Sequence, residues 1–145
     1  MEITGTVALT RLAVSLVLGA VIGIERQVHK HPAGLRTFTL LCLGSCLAMI
    51  VSIYICQNNL DLRNGDPGRI AAQVLTGIGF IGAGLILKNE DGISGLTTAA
   101  CIFITAVIGL AVGAGMLLVG AAVTATVIIV LISSNIRKSK RKKRR

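Results

Sequence analysis

Residues 96–136 read LTTAACIFITAVIGLAVGAGMLLVGAAVTATVIIVLISSNI, 41 positions without a charged side chain. At about 1.5 Å per residue an unbroken helix of that length would run about 60 Å, twice the roughly 30 Å hydrocarbon core of a bilayer. The stretch must therefore fold back on itself, and Gly113-Ala114-Gly115 is the best place for the turn. Working outward, three more apolar stretches occupy about 3–24, 37–56 and 70–87. With the long stretch split in two, the expectation is an all-α integral membrane protein, a bundle of about five transmembrane helices.

Composition points the same way. Of 145 residues, 53% are hydrophobic and 14% charged, with 17 glycines and a mean hydropathy of +0.81. A soluble domain carries about 25% charge. The length leaves no room for a separate catalytic domain, so residues 1–136 are expected to form one transmembrane domain and 137–145 a basic cytoplasmic tail. The formal charge of +9 is a local feature: eight of the fifteen Lys and Arg lie in 137–145, leaving seven basic against six acidic residues elsewhere.

Five crossings put the two ends on opposite sides. A cytoplasmic C-terminus gathers Arg26, Lys30, Arg36, Lys88 and the eight tail residues inside and leaves Arg11, Arg63 and Arg69 outside, twelve against three. That bias predicts an outside N-terminus and a cytoplasmic C-terminus. Met1-Glu2 offers no basic region and no A-x-A-like site ends the first apolar run, so the first span is expected to be retained. Asp66-Pro67 reads as an N-cap followed by Pro at the first helical position, and Ser94 as a cap for the fourth helix. Asn58-Asn59 and Asn64-Gly65 bracket a polar loop. With no Trp, one Tyr and three Phe, the interfacial aromatic belt is almost absent. Cys42, Cys46, Cys56 and Cys101 form no C-x-x-C pair or metal-ligand spacing and read as reduced packing residues.

Residues 77–84, GIGFIGAG, satisfy the dinucleotide fingerprint literally but lack its context of a preceding strand, a helix opening and an acid about 20 positions on. Two readings stay open for Gly77, Gly79, Gly82 and Gly84. They form a face for close helix packing, a theme that Gly19-x-x-x-Gly23 and Gly109-x-x-x-Gly113 repeat, or they loosen the third helix and expose carbonyls to a cavity.

A charge at the centre of a membrane helix costs about 2.5–3.5 kcal/mol even on the lenient insertion scale, so ionisable residues are the next clue. Arg11 is the deepest, and about 21 Å of helix separates it from Glu25, so each needs its own partner. The topology brings Glu25, Arg26, Arg36, Thr97 and Thr98 to the cytoplasmic end. There they could form a polar cluster, with Glu25 as a hard oxygen ligand or proton acceptor, Arg36 as counter-charge and the hydroxyls as hydrogen-bond partners; interfacial snorkelling and capping are the plainer account. Glu25 is the best metal candidate. At the other end Asp66 and Arg69 read as a cap with a local ion pair, and Gln73 as an amide seeking a partner across a helix interface. His29 and His31 flank Lys30 and read as a solvated pair. No catalytic triad, P-loop or H-E-x-x-H signature is present, which argues against an enzyme.

Glu25-Arg26, AGLRT at 33–37, DPGRIAAQ at 66–73, GIGFIGAG at 77–84 and GLTTAA at 95–100 together resemble the MgtC/SapB family, in order and over about residues 7–115. The resemblance implies a multi-pass protein of the bacterial inner membrane connected with growth under magnesium limitation, with acid or host stress and, in several members, with virulence. By position it singles out Glu25, Arg26, Gly34, Arg36, Cys42, Asp66, Arg69, Gln73, the glycine run, Thr97 and Thr98. It also implies a short form without the soluble C-terminal domain of longer members, and Phe103 stands where members often have Trp. The expected function is magnesium and ion homeostasis through regulation of another membrane protein. The alternative is direct transport of Mg²⁺ or another cation. No cofactor is expected beyond Mg²⁺ as ligand or substrate. Expected partners are the lipid bilayer, a second copy in a homo-oligomer such as a dimer, and a membrane protein. The basic tail follows a span directly and suits anionic headgroups rather than nucleic acid.

Overall fold

The computed structural model describes the backbone of residues 3–58, 66–90 and 92–142 and side chains as far as Gln57 and, in the last helix, Ser133. Five helices account for most of it: α1 (Gly5–Val28), α2 (Leu35–Asn58), α3 (Gly68–Gly84), α4 (Leu96–Gly113) and α5 (Leu117–Lys142). By length and composition α1, α2 as far as Gln57, and α4 can cross a membrane; the apolar part of α5, Leu117–Ser133, is one residue shorter than α4's eighteen. Helical backbone in α5 continues to Lys142, into the basic run. The loop signals at Asn59, Arg63, Asn64 and Gly65 lie outside the described residues.

The long apolar stretch divides where expected. Gly115 adopts φ +94°, and around it Met116 N–H donates to Ala111 O and Gly115 N–H to Val112 O, both 2.9 Å. This is the Schellman arrangement, whose left-handed residue is cheapest as glycine. At the end of α1 the same pattern forms with Lys30 at φ 55°, His31 N–H reaching Arg26 O and Lys30 N–H reaching Gln27 O.

Two boundaries differ from expectation. The third apolar stretch does not stay helical to residue 87: α3 ends at Gly84, and β1 (Leu87–Asn89) pairs antiparallel with β2 (Gly92–Ser94) in a small exposed hairpin. Ser94 does not cap α4. Its Oγ donates to Leu87 O at 3.4 Å within the hairpin, and the N-cap is Gly95 at φ +86°. A side chain at Gly95 would strike Leu85 O, so the hairpin closes tightly against the end of α3 and leaves no room for a capping serine. Asp66 keeps a capping hydrogen bond, its Oδ1 accepting from Gly68 N–H at 2.7 Å, although Pro67, itself in helical conformation, is the residue that directly precedes α3. Replacing Asp66 with Ala should cost about 1 kcal/mol, read as earlier thermal unfolding in detergent.

α4 lies at the centre and touches all four other helices. Between membrane helices the hydrophobic effect gives little, so close van der Waals approach has to hold the bundle. Glycine supplies it. A Cβ on Gly19 would lie 2.7 Å from Cys42 Cβ and one on Gly23 2.7 Å from Leu35 Cα; Gly109 and Gly113 press on the carbonyls of Cys42 and Cys46. Thus α1 and α4 both pack on α2 through small residues, around a core that includes Ile22, Phe38, Cys42, Cys46, Ile102 and Val112. The two Gly-x-x-x-Gly pairs of α1 and α4 are packing faces. All four cysteines are free, three of them buried.

The run in α3 behaves differently. The helix is unbroken from Gly68 to Gly84, so the loosened, interrupted helix is not observed. Nor does most of the run pack within the chain. A Cβ on Gly82 would lie 3.8 Å from Ala99 of α4, while one on Gly77, Gly79 or Gly84 would meet nothing within 4 Å. The buried side of α3 carries Ile78 and Gly82; its opposite side, with Gln73, Gly77 and Phe80, is exposed.

Candidate functional site

The buried stripe of α1 is Arg11, Ser15, Gly19, Ile22, Gly23 and Arg26, a helical repeat that carries a guanidinium at each end of an apolar seam. At one end Arg11, 6% exposed, donates from Nη1 to Gly113 O at 2.7 Å. That carbonyl ends α4, where orphan acceptors and the negative end of the helix dipole favour a cation. Arg11 thereby has the partner that its depth demands.

At the other end Arg26 is 2% exposed and Glu25 8%. Successive residues on a helix point about 100° apart, so the guanidinium has to curl back to meet its neighbour. It does so in a two-pronged pair, Nε donating to Oε2 at 2.6 Å and Nη2 to Oε1 at 3.2 Å. His29, one turn on, brings Nδ1 to 3.2 Å from Glu25 Oε1. Gly23 lets Leu35 close over this end, and Gln27 Oε1 accepts from Leu35 N–H at 3.2 Å, tying the start of α2 to the end of α1. From α4, Cys101 lies within electrostatic reach of both members of the pair, and Thr98, one turn earlier, is buried. Arg26 Nη1 is buried with no hydrogen-bond partner. A fixed cation with a spare donor in a dry place is costly unless its carboxylate stays ionised beside it.

The expected cluster of five is therefore only partly assembled. Glu25 and Arg26 pair at one end of the seam, and Thr98 is buried on α4 one turn before Cys101. Glu25 takes Arg26 and His29 as its charged neighbours, while Arg36 is exposed and fronts the groove between α2 and α3. Thr97 and Thr98 are likewise about 100° apart. Thr97 faces a cleft between α4 and α5, beside Val123 and Thr126. Adjacency in sequence concealed Arg26 as the partner, since neighbours on a helix are not ordinarily read as a pair.

At the opposite end Asp66 and Arg69 are both exposed and do not form the expected ion pair; among the described residues Glu25 is the acid of both pairs, with Arg26 and His29. Gln73 is exposed on α3. Sequence reasoning missed Ser52, whose Oγ donates to Pro67 O at 2.7 Å and ties α2 to the start of α3. Among the described residues no group of three or more His, Cys, Asp or Glu stands close enough to hold a metal ion, so His29 and His31 do not complete a metal set around Glu25.

The model of the MgtC family matches residues 12–140. Among curated proteins, one from Escherichia coli K12 named "Putative magnesium transporter YhiD" is 52% identical over 108 residues, covering 73% of this chain and 50% of its own. Protein SapB of Bacillus subtilis is 44% identical over 74% of this chain and 47% of its own, and Protein MgtC of Brucella abortus 41% over 87% and 50%. The chain spans about half the length of the curated relatives it matches. No solved structure matches it.

Proposed function

Since this chain belongs to the MgtC family, we propose that it is a multi-pass protein of the bacterial inner membrane that serves magnesium homeostasis and stress adaptation by regulating another membrane protein. It has no enzymatic role in this reading. The name of the E. coli relative supplies the link to magnesium. The observation that carries regulation over transport is the state of Glu25, engaged by a buried guanidinium at 2.6 Å. Mg²⁺ prefers octahedral oxygen coordination and gives up its waters reluctantly, so it would want several carboxylates free to receive it. A divalent cation entering between α1, α2 and α4 would meet Arg26 at one end and Arg11 at the other, both buried. Like charges in such a dry seam repel strongly.

The outward side of α3 supports assembly. Gly77, Gly79 and Gly84 leave its backbone bare, and Gln73 offers an amide on the exposed surface. A second copy or a partner helix approaching there would gain the close contact that the glycines of α1 and α4 gain inside the chain. The twelve-to-three distribution of basic residues supports a cytoplasmic location for the Glu25 end.

Direct transport is the second reading, favoured by the name of the E. coli relative. It would need Glu25 from more than one copy around a common path. Mg²⁺ flux into liposomes separates the two, with empty liposomes as the baseline. The expected result is flux equal to that baseline from protein shown to be folded. Saturable flux that is lost on replacing Glu25 would overturn regulation and establish a transporter.

A further inference from the structure

Between α2 and α3 lies a groove of about 540 Å³, walled by Leu40, Leu41 and Gly44 on one side and Val74, Ile78 and Ile81 on the other. Ligand pockets fall at about 300–1,000 Å³, so the space is large enough to hold part of a sizeable molecule. Its lining is apolar along the walls, and its mouth is not: Arg36, exposed in the second position of α2, stands at the groove's end. Glu25, the acid expected to pair with it, is already engaged by Arg26 and His29. The groove follows α2 from Arg36 to Ser45. Nine residues at 1.5 Å make about 13.5 Å, close to half of a 30 Å hydrocarbon core.

We propose that this groove is a binding site for one anionic phospholipid, with an acyl chain lying between α2 and α3 and the headgroup phosphate held by Arg36. Each dimension agrees with that occupant. A guanidinium fork matches phosphate oxygens two at a time, and phosphate is the anion that a bilayer presents at its interface. The apolar walls begin directly beneath it and end about one leaflet down, where an acyl chain also ends. Gly44 keeps the channel open, since a Cβ there would meet nothing within 4 Å. The site needs only the membrane placement of the helices and is independent of the magnesium reading.

The test uses the full chain in phosphatidylcholine vesicles carrying trace spin-labelled phosphatidylglycerol or spin-labelled phosphatidylcholine. Electron paramagnetic resonance then measures how much of each is motionally restricted. The wild type should restrict phosphatidylglycerol in preference to phosphatidylcholine. Arg36→Gln should lower that preference about fivefold, as expected for one interfacial Arg, while keeping a restricted chain. The basic residues from 137 onward are unchanged in this variant, so their general attraction for anionic lipid cancels in the comparison. Gly44→Leu fills the groove and should reduce restriction of both lipids, with helicity unchanged by circular dichroism. An unaltered lipid preference in Arg36→Gln would overturn the proposal, as would full restriction in Gly44→Leu. If a second copy fills the groove instead, Gly44→Leu will change the assembly size by chromatography and leave the lipid signal alone, which also overturns it.

Discussion

Gly109→Val is expected to unfold the bundle or leave it barely assembled. Gly109 already presses on the Cys42 carbonyl, and a Cβ there would come within 2.9 Å of Ser45 Cβ. The obstruction is backbone, which cannot rotate aside, so α2 and α4 must separate. Because α4 is the helix that touches all the others, the loss spreads through the bundle. Overpacking typically costs about 1–3 kcal/mol, and this contact belongs at or beyond the upper end. Gly79→Leu is the contrasting variant. Gly79 is exposed and a Cβ there would meet nothing within 4 Å, so the protomer should fold normally while any assembly through α3 is lost. Thermal unfolding and crosslinking in detergent read the two quantities separately. A Gly109→Val protein as stable as wild type would refute the packing account; a Gly79→Leu protein with unchanged assembly would refute the α3 interface.

Glu25→Gln should be destabilising by about 3–5 kcal/mol, because it strands a guanidinium that is only 2% exposed. The double variant Glu25→Gln/Arg26→Met should recover most of that stability, since an apolar side chain of similar length removes the unpaired charge. Reversible unfolding in mixed detergent measures both. An undiminished midpoint for Glu25→Gln would contradict the buried pair. The double variant also separates a structural role from a functional one. If the pair is part of the site, the folded double variant fails to support growth at low magnesium where the wild-type chain supports it. Full growth with the double variant would reduce Glu25 and Arg26 to a packing device.

Much of the architecture was legible in the residues, for plain reasons. A 41-residue apolar stretch cannot cross once, and Gly113-Ala114-Gly115 offered the left-handed position its turn needs. Gly19, Gly23, Gly109 and Gly113 carried the spacing of close contact, and they make it. The α3 run has the same composition and yet largely faces outward, because composition says that a helix can be approached closely but not from which side. The pairing of Leu87–Asn89 with Gly92–Ser94 was not legible, since Leu87 reads as the end of the third apolar stretch and Ser94 as a helix cap.

By itself the sequence determined that the chain is a helical membrane protein, how its long apolar stretch turns and which family it joins, because length against bilayer thickness, glycine at a turn and ordered motifs are properties of the chain alone. Only the tertiary structure decided that Glu25 takes Arg26 rather than Arg36, that Arg11 ends on the last carbonyl of α4, and that Arg36 heads a groove. Each of those depends on the rotation of one helix about its axis. A turn of about 100° per residue separates neighbours such as Leu35 and Arg36 onto different faces, and packing against the other helices sets that rotation.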